Sequence, residues 1–335
     1  MNAPETAAVR VAFTELPDLA AERYGGKVLA ANDDFFAPKE NLLKPGRGVF
    51  IADKFTPRGK WMDGWETRRK RVPGHDWALL RLGMPGRVVG VDVDTNHFVG
   101  NFPEYCALEA CSAPASASPR ALEKARWRTI LPKSRLAGGT RNLFPVADAG
   151  RSTHLRLRIF PGGGVARLRV HGEVLPDWKA LPGLVDLAAL ENGGQVLAAN
   201  DMFFGPKDNL IQPGRAKTMG DGWETRRKRA PGHDWIVVQL GRAGRIERIE
   251  VDTNHFKGNF PESCSIVACR LDGPVEPDFH KDHAVRWHGL LGRTPLRASA
   301  RHYFRPASRE AFTHVKLNIF PDGGISRLRL WGRAR

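Results

Sequence analysis

One fifteen-residue polar stretch occurs twice in this sequence. DGWETRRKRVPGHDW spans residues 63–77, and DGWETRRKRAPGHDW spans 221–235; only Val72 and Ala230 differ. A second polar pair follows each copy, DTNHFVGNFPE at 94–104 and DTNHFKGNFPE at 252–262. In the first copy these segments carry Glu66, Arg68, Arg71, His75, Asp94, Asn96, His97 and Asn101. In the second they carry Glu224, Arg226, Arg229, His233, Asp252, Asn254, His255 and Asn259. Arginine can fork a carboxylate with two parallel N–H groups. Histidine exchanges a proton near neutrality, and asparagine both donates and accepts. Such a set suits a small, polar, anionic substrate with amide-like groups. A buried hydrophobic segment drifts easily among residues of similar volume, so near-identity of a polar stretch in two copies asks for another cause.

Each motif also has a structural reading. GHDW can be a strand-entry turn whose aspartate, Asp76 or Asp234, accepts backbone N–H bonds. RRKR can be a solvated basic face or pair with Glu66, and DTNHF can be an Asx turn with its histidine packed. Two histidines and a carboxylate are also a donor set that a divalent metal could use, so a divalent metal is possible while no cofactor is called for by the residues alone. The pairs Phe35-Phe36 and Phe203-Phe204 read as core. Asn32-Asp33 and Asn200-Asp201, just before them, read as turn residues or as an ion or ligand loop.

The duplication supplies the elements that must position these residues. Gly25 matches Gly193, 168 positions on, whereas Asp94 matches Asp252, 158 positions on. The first copy therefore carries ten extra residues, within GVFIADKFTPRGKWM at 48–62. The predicted layout is a first domain at 1–172, a linker at 173–183 and a second domain at 184–335, each domain of ordinary size. THLRLRIF at 153–160 alternates Leu155, Leu157 and Ile159 with Arg156 and Arg158, the period of a half-buried strand. With PGGG and VARLRV it reads as a hairpin. HDWALLRLG and VVGVDVDT read as a second hairpin, turning at residues 83–86. That hairpin would bring WETRRKRVPGHD and DTNHFVGNFPE out at one end of a sheet. CALEAC is a further short apolar run, and only ALEKARWRTI holds a helical period. Many short strands with Gly/Pro punctuation predict an all-β sandwich.

Composition sets the outer limits. The chain has 335 residues, 41% of them hydrophobic, and a formal net charge of +16. It can bury a core, and its basic balance points to an anionic partner. No apolar run is long enough to span a bilayer, and the N-terminus lacks the pattern of a secretory signal. The four cysteines, Cys106, Cys111, Cys264 and Cys269, sit five apart in pairs. In a strand that spacing faces opposite sides, so they read as small buried residues in a reducing, cytoplasmic setting. Nucleic-acid binding is not expected, because the basic runs are short and interleaved with Trp, Glu and Asp. No membrane partner is expected.

Several blocks in order, NLLKPGRGVFIADKFTPRGKWMDGWETRRKR, PGHDW, VDVDTNHFVGNFPE and IFPGGG, followed by their second set, resemble the allantoicase family over roughly residues 19–332. Within each repeat, HDWALLRLG and VVGVDVDT also resemble the galactose-binding-like, or discoidin-like, jelly roll. The resemblance implies two tandem jelly-roll domains and a hydrolase that cleaves a C–N bond of allantoate, releasing urea and ureidoglycolate in allantoin and purine degradation. On that substrate the arginines would hold the carboxylate, and Asn96 or Asn101 would read a ureido group. His75 or His97, oriented by Asp76 or Asp94, would move protons, with Glu66 the other acid/base candidate. The same roles fall to the second copy. A homo-oligomer is compatible with this reading, and one composite site and one site per repeat are both open. The rival is a non-catalytic jelly roll binding carbohydrate or lipid, which would not need histidine and aspartate beside the basic loop.

Overall fold

In the computed structural model of the chain, residues 13–335 are described, apart from 69, 71, 149, 182, 272, 274–276 and 282–284. Arg71, expected at the site, lies outside the described residues. The chain divides into two units, one ending at Leu175 and one starting at Pro176.

The first unit contains β1 (Lys27–Ala31), β2 (Phe55–Thr56), β3 (Gly59–Lys60), β4 (Trp65–Glu66), β5 (Asp76–Asp94), β6 (Tyr105–Cys111), β7 (Arg128–Arg135), β8 (Arg141–Pro145), β9 (Arg151–Phe160), β10 (Gly164–Val165) and β11 (Arg167–Val174). One sheet runs β1-β5-β9-β6-β7, while β8 and β11 also pair with β5. All these pairings are antiparallel. Alternate residues such as Leu80, Val91, Val93, Leu108, Leu155, Leu157, Ile159, Leu168 and Val170 are fully buried. Each such side chain contributes ~1.5–3 kcal/mol through burial.

Two predicted hairpins are corrected. HDWALLRLG and VVGVDVDT form one strand of 19 residues, β5. Its first part pairs with β9, Asp76 opposite Ile159, and its last part with β11, Asp94 opposite Arg167. Straight, β5 would span ~60 Å, yet Ile159 and Arg167 are joined by a connection that reaches at most ~28 Å. The strand therefore bends, and the register breaks between Arg81 and Gly86 mark the corner. Gly83 and Gly86 sit there because a neighbouring backbone crosses closely; a Cβ on Gly83 would lie 2.6 Å from Tyr24 O. For the same reason THLRLRIF and VARLRV are not a hairpin: β9 and β11 pair with different parts of β5, and PGGG carries the chain from one to the other. Both ends of β5 still emerge together, beside that connection, so the expected convergence of the two polar loops holds by another route.

The second unit repeats the plan with β12 (Val185–Asp186), β13 (Gln195–Ala199), β14 (Trp223–Glu224), β15 (Asp234–Asp252), β16 (Ser263–Cys269), β17 (His288–Pro295), β18 (Arg301–Phe304), β19 (Ala311–Phe320), β20 (Gly324–Ile325) and β21 (Arg327–Ala334). β15 is the counterpart of β5: Asp234 stands opposite Ile319 and Asp252 opposite Arg327. Each unit is thus an antiparallel jelly-roll sandwich, and the fold is all-β with two tandem repeats. All four cysteines are buried and outside any disulfide, and burial pushes the Cys106 and Cys264 thiols up to about 12.

Two smaller expectations are also corrected. The helical period of ALEKARWRTI yields only the short helix Pro119–Glu123, capped by Ser118, before β7 begins at Arg128. The phenylalanine pairs are not core: Phe203 and Phe204 are 65% and 62% exposed, and Phe35 is 37% exposed. Arg68 and Arg58 lie over the Phe35 ring and Arg226 over Phe203, so these rings serve as cation–π platforms.

Asp186 of β12 is buried beside Arg329, and its Oδ1 accepts N–H bonds from Ala188 and Leu330. Burial outweighs the arginine and raises its pKa from 3.8 to about 6. Its contribution to stability is full below pH 3.8 and is lost as pH rises towards 6. Denaturant melts from pH 4 to 7 should show wild type losing up to about 3 kcal/mol relative to Asp186→Asn; parallel curves would refute this.

Candidate functional site

The connection between β9 and β11 is the spine of the site in the first unit. Gly162 lies against Asp76 and Thr67. Gly163 exchanges bonds with Thr67, N to Oγ1 at 3.0 Å and O from N at 3.1 Å. Gly164 stands opposite Glu66 in the β4–β10 ladder and donates to Asn101 O at 2.8 Å. Ala166 donates to Asp94 O. Ordered along it are the Asp76 end, the Glu66–Asn101 pair and the Asp94 end. His75 belongs to the first end and His97 to the last, so the spine separates the two histidines.

Glu66 follows Trp65, which is fully buried and donates Nε1 to Asp33 O at 2.8 Å. Adjacent strand residues face opposite ways, so burying Trp65 turns Glu66 outward. Asn101 Nδ2 donates to Glu66 Oε1 at 2.7 Å. The second unit repeats this with Asn259 and Glu224, while Gly324 donates to Asn259 O.

Asp94 is fully engaged. Arg47 forks it with two 2.9 Å bonds, and the Asn96 N–H donates to Oδ1 at 2.9 Å. That Asx turn throws His97 into the left-handed region, φ 67°, and His255 likewise at 71°, a conformation histidine tolerates better than most. His97 Nε2 lies 3.2 Å from Gly48 O, and His255 Nε2 lies 3.1 Å from Ala216 O. A carbonyl only accepts, so Nε2 is the donor, and in the neutral ring Nδ1 carries the lone pair. Phe50, from the extra segment of the first copy, stacks on His97 at 5.5 Å. Asn96 and Asn254 point their amides at the same two carbonyls as the histidines, so they brace the turn.

At the other end, Asp76 is completely buried. Its Oδ1 accepts from Asn32 Nδ2 at 2.8 Å and Lys70 Nζ at 2.7 Å. Asp234 is held by Asn200 and Lys228 in the same way. Among the described residues these are side-chain partners, not the backbone donors of a strand-entry turn. His75 lies over Phe160 and His233 over Phe320. Burial, then the charge of Arg158, holds the His75 pKa below the ordinary imidazole value.

The basic run splits by task. Lys70 and Lys228 are committed to the buried aspartates. Arg68 and Arg226 pair through Nε with Asp33 and Asp201 at 3.1 and 2.8 Å, and both side chains remain largely exposed at the rim. Arg229 is exposed. Sequence reasoning missed Arg47 and Arg215 as partners of Asp94 and Asp252, although PGR stands unchanged in both copies. It also gave Asn32-Asp33 no part in gripping the neighbouring loop. Among the described residues, no group of three or more His, Cys, Asp or Glu is placed to hold a metal ion.

The spine tolerates no added bulk. A Cβ on Gly164 would overlap the Phe98 ring, and one on Gly324 the Phe256 ring. Gly164→Ala should cost about 3 kcal/mol, read from the denaturant midpoint, and a Phe98→Leu background should absorb part of that loss. An unchanged midpoint would refute the overlap.

Fold and site together define a class: tandem-repeat jelly-roll proteins with one carboxylate–imidazole–arginine cluster per repeat. The allantoicase repeat family matches residues 17–175 and 185–335. The chain is 51% identical to a probable allantoicase 2 of Burkholderia pseudomallei strain K96243, over 94% of both chains. It is 45% identical to an allantoicase of Dictyostelium discoideum, over 95% of this chain and 87% of that one. The crystal structure of allantoicase from Saccharomyces cerevisiae superposes with a TM-score of 0.78 at 34% identity, covering 97% of this chain and 98% of that one. The chain belongs to the allantoicase family.

Proposed function

We propose that the cluster in each unit hydrolyses a C–N bond of allantoate, giving ureidoglycolate and urea in allantoin and purine degradation. The overall activity follows from family membership at this identity and coverage; the residue roles follow from the geometry. Allantoate offers one carboxylate and two ureido groups on a single carbon. A water oxygen bonds to that carbon, one C–N bond breaks, and the departing nitrogen takes a proton and leaves as urea. One group must therefore accept a proton and another must give one.

The observation that carries the assignment is the clamp repeated in both units: a histidine whose Nε2–H is fixed on a carbonyl, with a carboxylate fixed by an asparagine. His97 Nδ1 and His255 Nδ1 are the proton acceptors of that clamp. Glu66 and Glu224, oriented by Asn101 and Asn259, handle the second proton. Arg68 and Arg226, held through Nε, can turn their remaining N–H groups to the substrate carboxylate. Asp94 and Asp252, engaged with arginine and with the backbone of the turn, position the histidine. His75 and His233 stand at the far end of the spine, over Phe160 and Phe320.

No described helix is long and apolar enough to cross a membrane. A cytoplasmic setting fits four buried cysteines outside any disulfide. The test is incubation of the purified chain with allantoate, following urea and ureidoglycolate with and without a chelator. Equal amounts of both products are expected. No urea would overturn the reading, and activity lost to chelator and restored by added metal would put a metal among the histidines.

A further inference from the structure

The ten extra residues of the first copy set its site apart from that of the second. Fifteen residues, 48–62, separate Arg47 from Asp63, whereas five, 216–220, separate Arg215 from Asp221. The longer segment is anchored at two places on the cluster. At the Asp94 end, Gly48 O accepts from Asn96 and His97, and Phe50 stacks on the His97 ring. The chain then turns through the β2–β3 hairpin, with Phe55 opposite Lys60 and Thr56 opposite Gly59. Lys54 lies over Trp61 at 3.9 Å, and Lys60 over Phe50 and Phe55 at 5.1 and 4.6 Å, so the hairpin is braced by its own cation–π contacts. Arg58, at its tip, reaches the Arg68 rim: Nη1 donates to Phe35 O at 2.7 Å, and the guanidinium lies 4.8 Å from the Phe35 ring. Phe35 stands between Asp33, which holds Arg68, and Phe36, whose N–H donates to Glu66 O.

Two guanidinium groups therefore share one ring, Arg58 at 4.8 Å and Arg68 at 5.1 Å. Like charges this close disfavour one another. Asp33 offsets the charge of Arg68. Among the described residues the partners of the Arg58 guanidinium are the carbonyl and the ring of Phe35, neither of them a carboxylate. Both arginines are exposed, and Arg68 spends only Nε on Asp33 while Arg58 spends only Nη1 on the carbonyl. Their remaining N–H groups can meet an anion from solution, and a carboxylate matches that fork. Unit 2 differs. Among its described residues Arg226 alone lies over Phe203, paired with Asp201, and its short connection at 216–220 holds no arginine. Phe203 is accordingly 65% exposed where Phe35 is 37% exposed.

We propose that Arg58 is a specificity-determining residue of unit 1: with Arg68 it takes the substrate carboxylate between two guanidinium groups, so the first site holds ureido acids more tightly than the second. The inference rests on the proposed function for the identity of the substrate. The unequal grip on a carboxylate is a property of binding and is read without turnover.

N-carbamoylglycine is the probe, with one carboxylate and one ureido group on a carbon that bears a single nitrogen. Its amide, N-carbamoylglycinamide, has the same skeleton without the charge. Titration calorimetry of the acid on the full chain should resolve two classes of site. Arg58→Gln should weaken the tighter class about tenfold, the loss of a charge-assisted hydrogen bond, and leave the weaker class as it was. Arg58→Lys keeps the charge and should recover part of the loss, which a role confined to holding the hairpin would not predict. The amide should bind wild type and Arg58→Gln alike. Urea release from allantoate by wild type is scored separately, so its absence would remove the proposed reaction and leave the binding comparison standing. No saturable binding, a single class of site, an affinity unmoved by Arg58→Gln, or an equal loss with the amide would each overturn the inference.

Discussion

Replacing Glu66 and Glu224 together by Gln should lower turnover of allantoate about 10²–10⁴-fold, the usual contribution of a positioned acid or base. Gln keeps the shape and an oxygen for Asn101 and Asn259 to donate to. Folding should therefore survive, and circular dichroism and melting should match wild type. What is lost is the ability to exchange a proton. The single variants decide how the repeats cooperate. Independent sites leave about half the activity in Glu66→Gln or Glu224→Gln alone, whereas one shared site loses nearly all of it in either. Near-normal turnover in the double variant would remove the glutamates from the chemistry.

His97→Asn with His255→Asn is the second large effect, again expected at about 10²–10⁴-fold. Asparagine is chosen because both positions are left-handed, at φ 67° and 71°, where it is tolerated. The substitution removes the Nδ1 lone pair that the Gly48 and Ala216 carbonyls leave exposed by fixing Nε2 as the donor. The loss should fall on kcat, with KM changed less, because the carboxylate-binding arginines are untouched. Equal loss in KM alone would make these histidines binding groups, and unchanged turnover would sink the assignment.

The sandwich was legible because alternation reports burial directly: Leu155, Leu157 and Ile159 are all fully buried. The duplication and the meeting of the two polar loops were legible too. The hairpins were not. Glycine and proline between two alternating runs mark a turn when the chain reverses and a corner when the strand bends, and period two is the same in both. Gly83 is a close-packing residue, something only the neighbouring backbone reveals. The Phe203-Phe204 pair misled for the opposite reason: hydrophobicity predicts burial on average, but a ring beneath Arg226 at the rim of a site has another use. Of the candidate residues, the types were readable and the partners were not. Arg47 lies 47 positions from Asp94, and nothing local announces that they will meet.

The bent strand has a mechanical meaning. Because β5 pairs with β9 along one stretch and β11 along the other, no seam runs through the first unit along which its two halves could part while each stayed folded. Peeling β11 away would strip the last stretch of β5 and, with it, the Asp94 turn. Each repeat should therefore open as one cooperative block, with amides of Val91 and Leu80 exchanging with solvent at the same rate under conditions where exchange follows global opening. The site at the end of that strand gains its stiffness from a continuous polypeptide rather than from contacts that can be lost one by one.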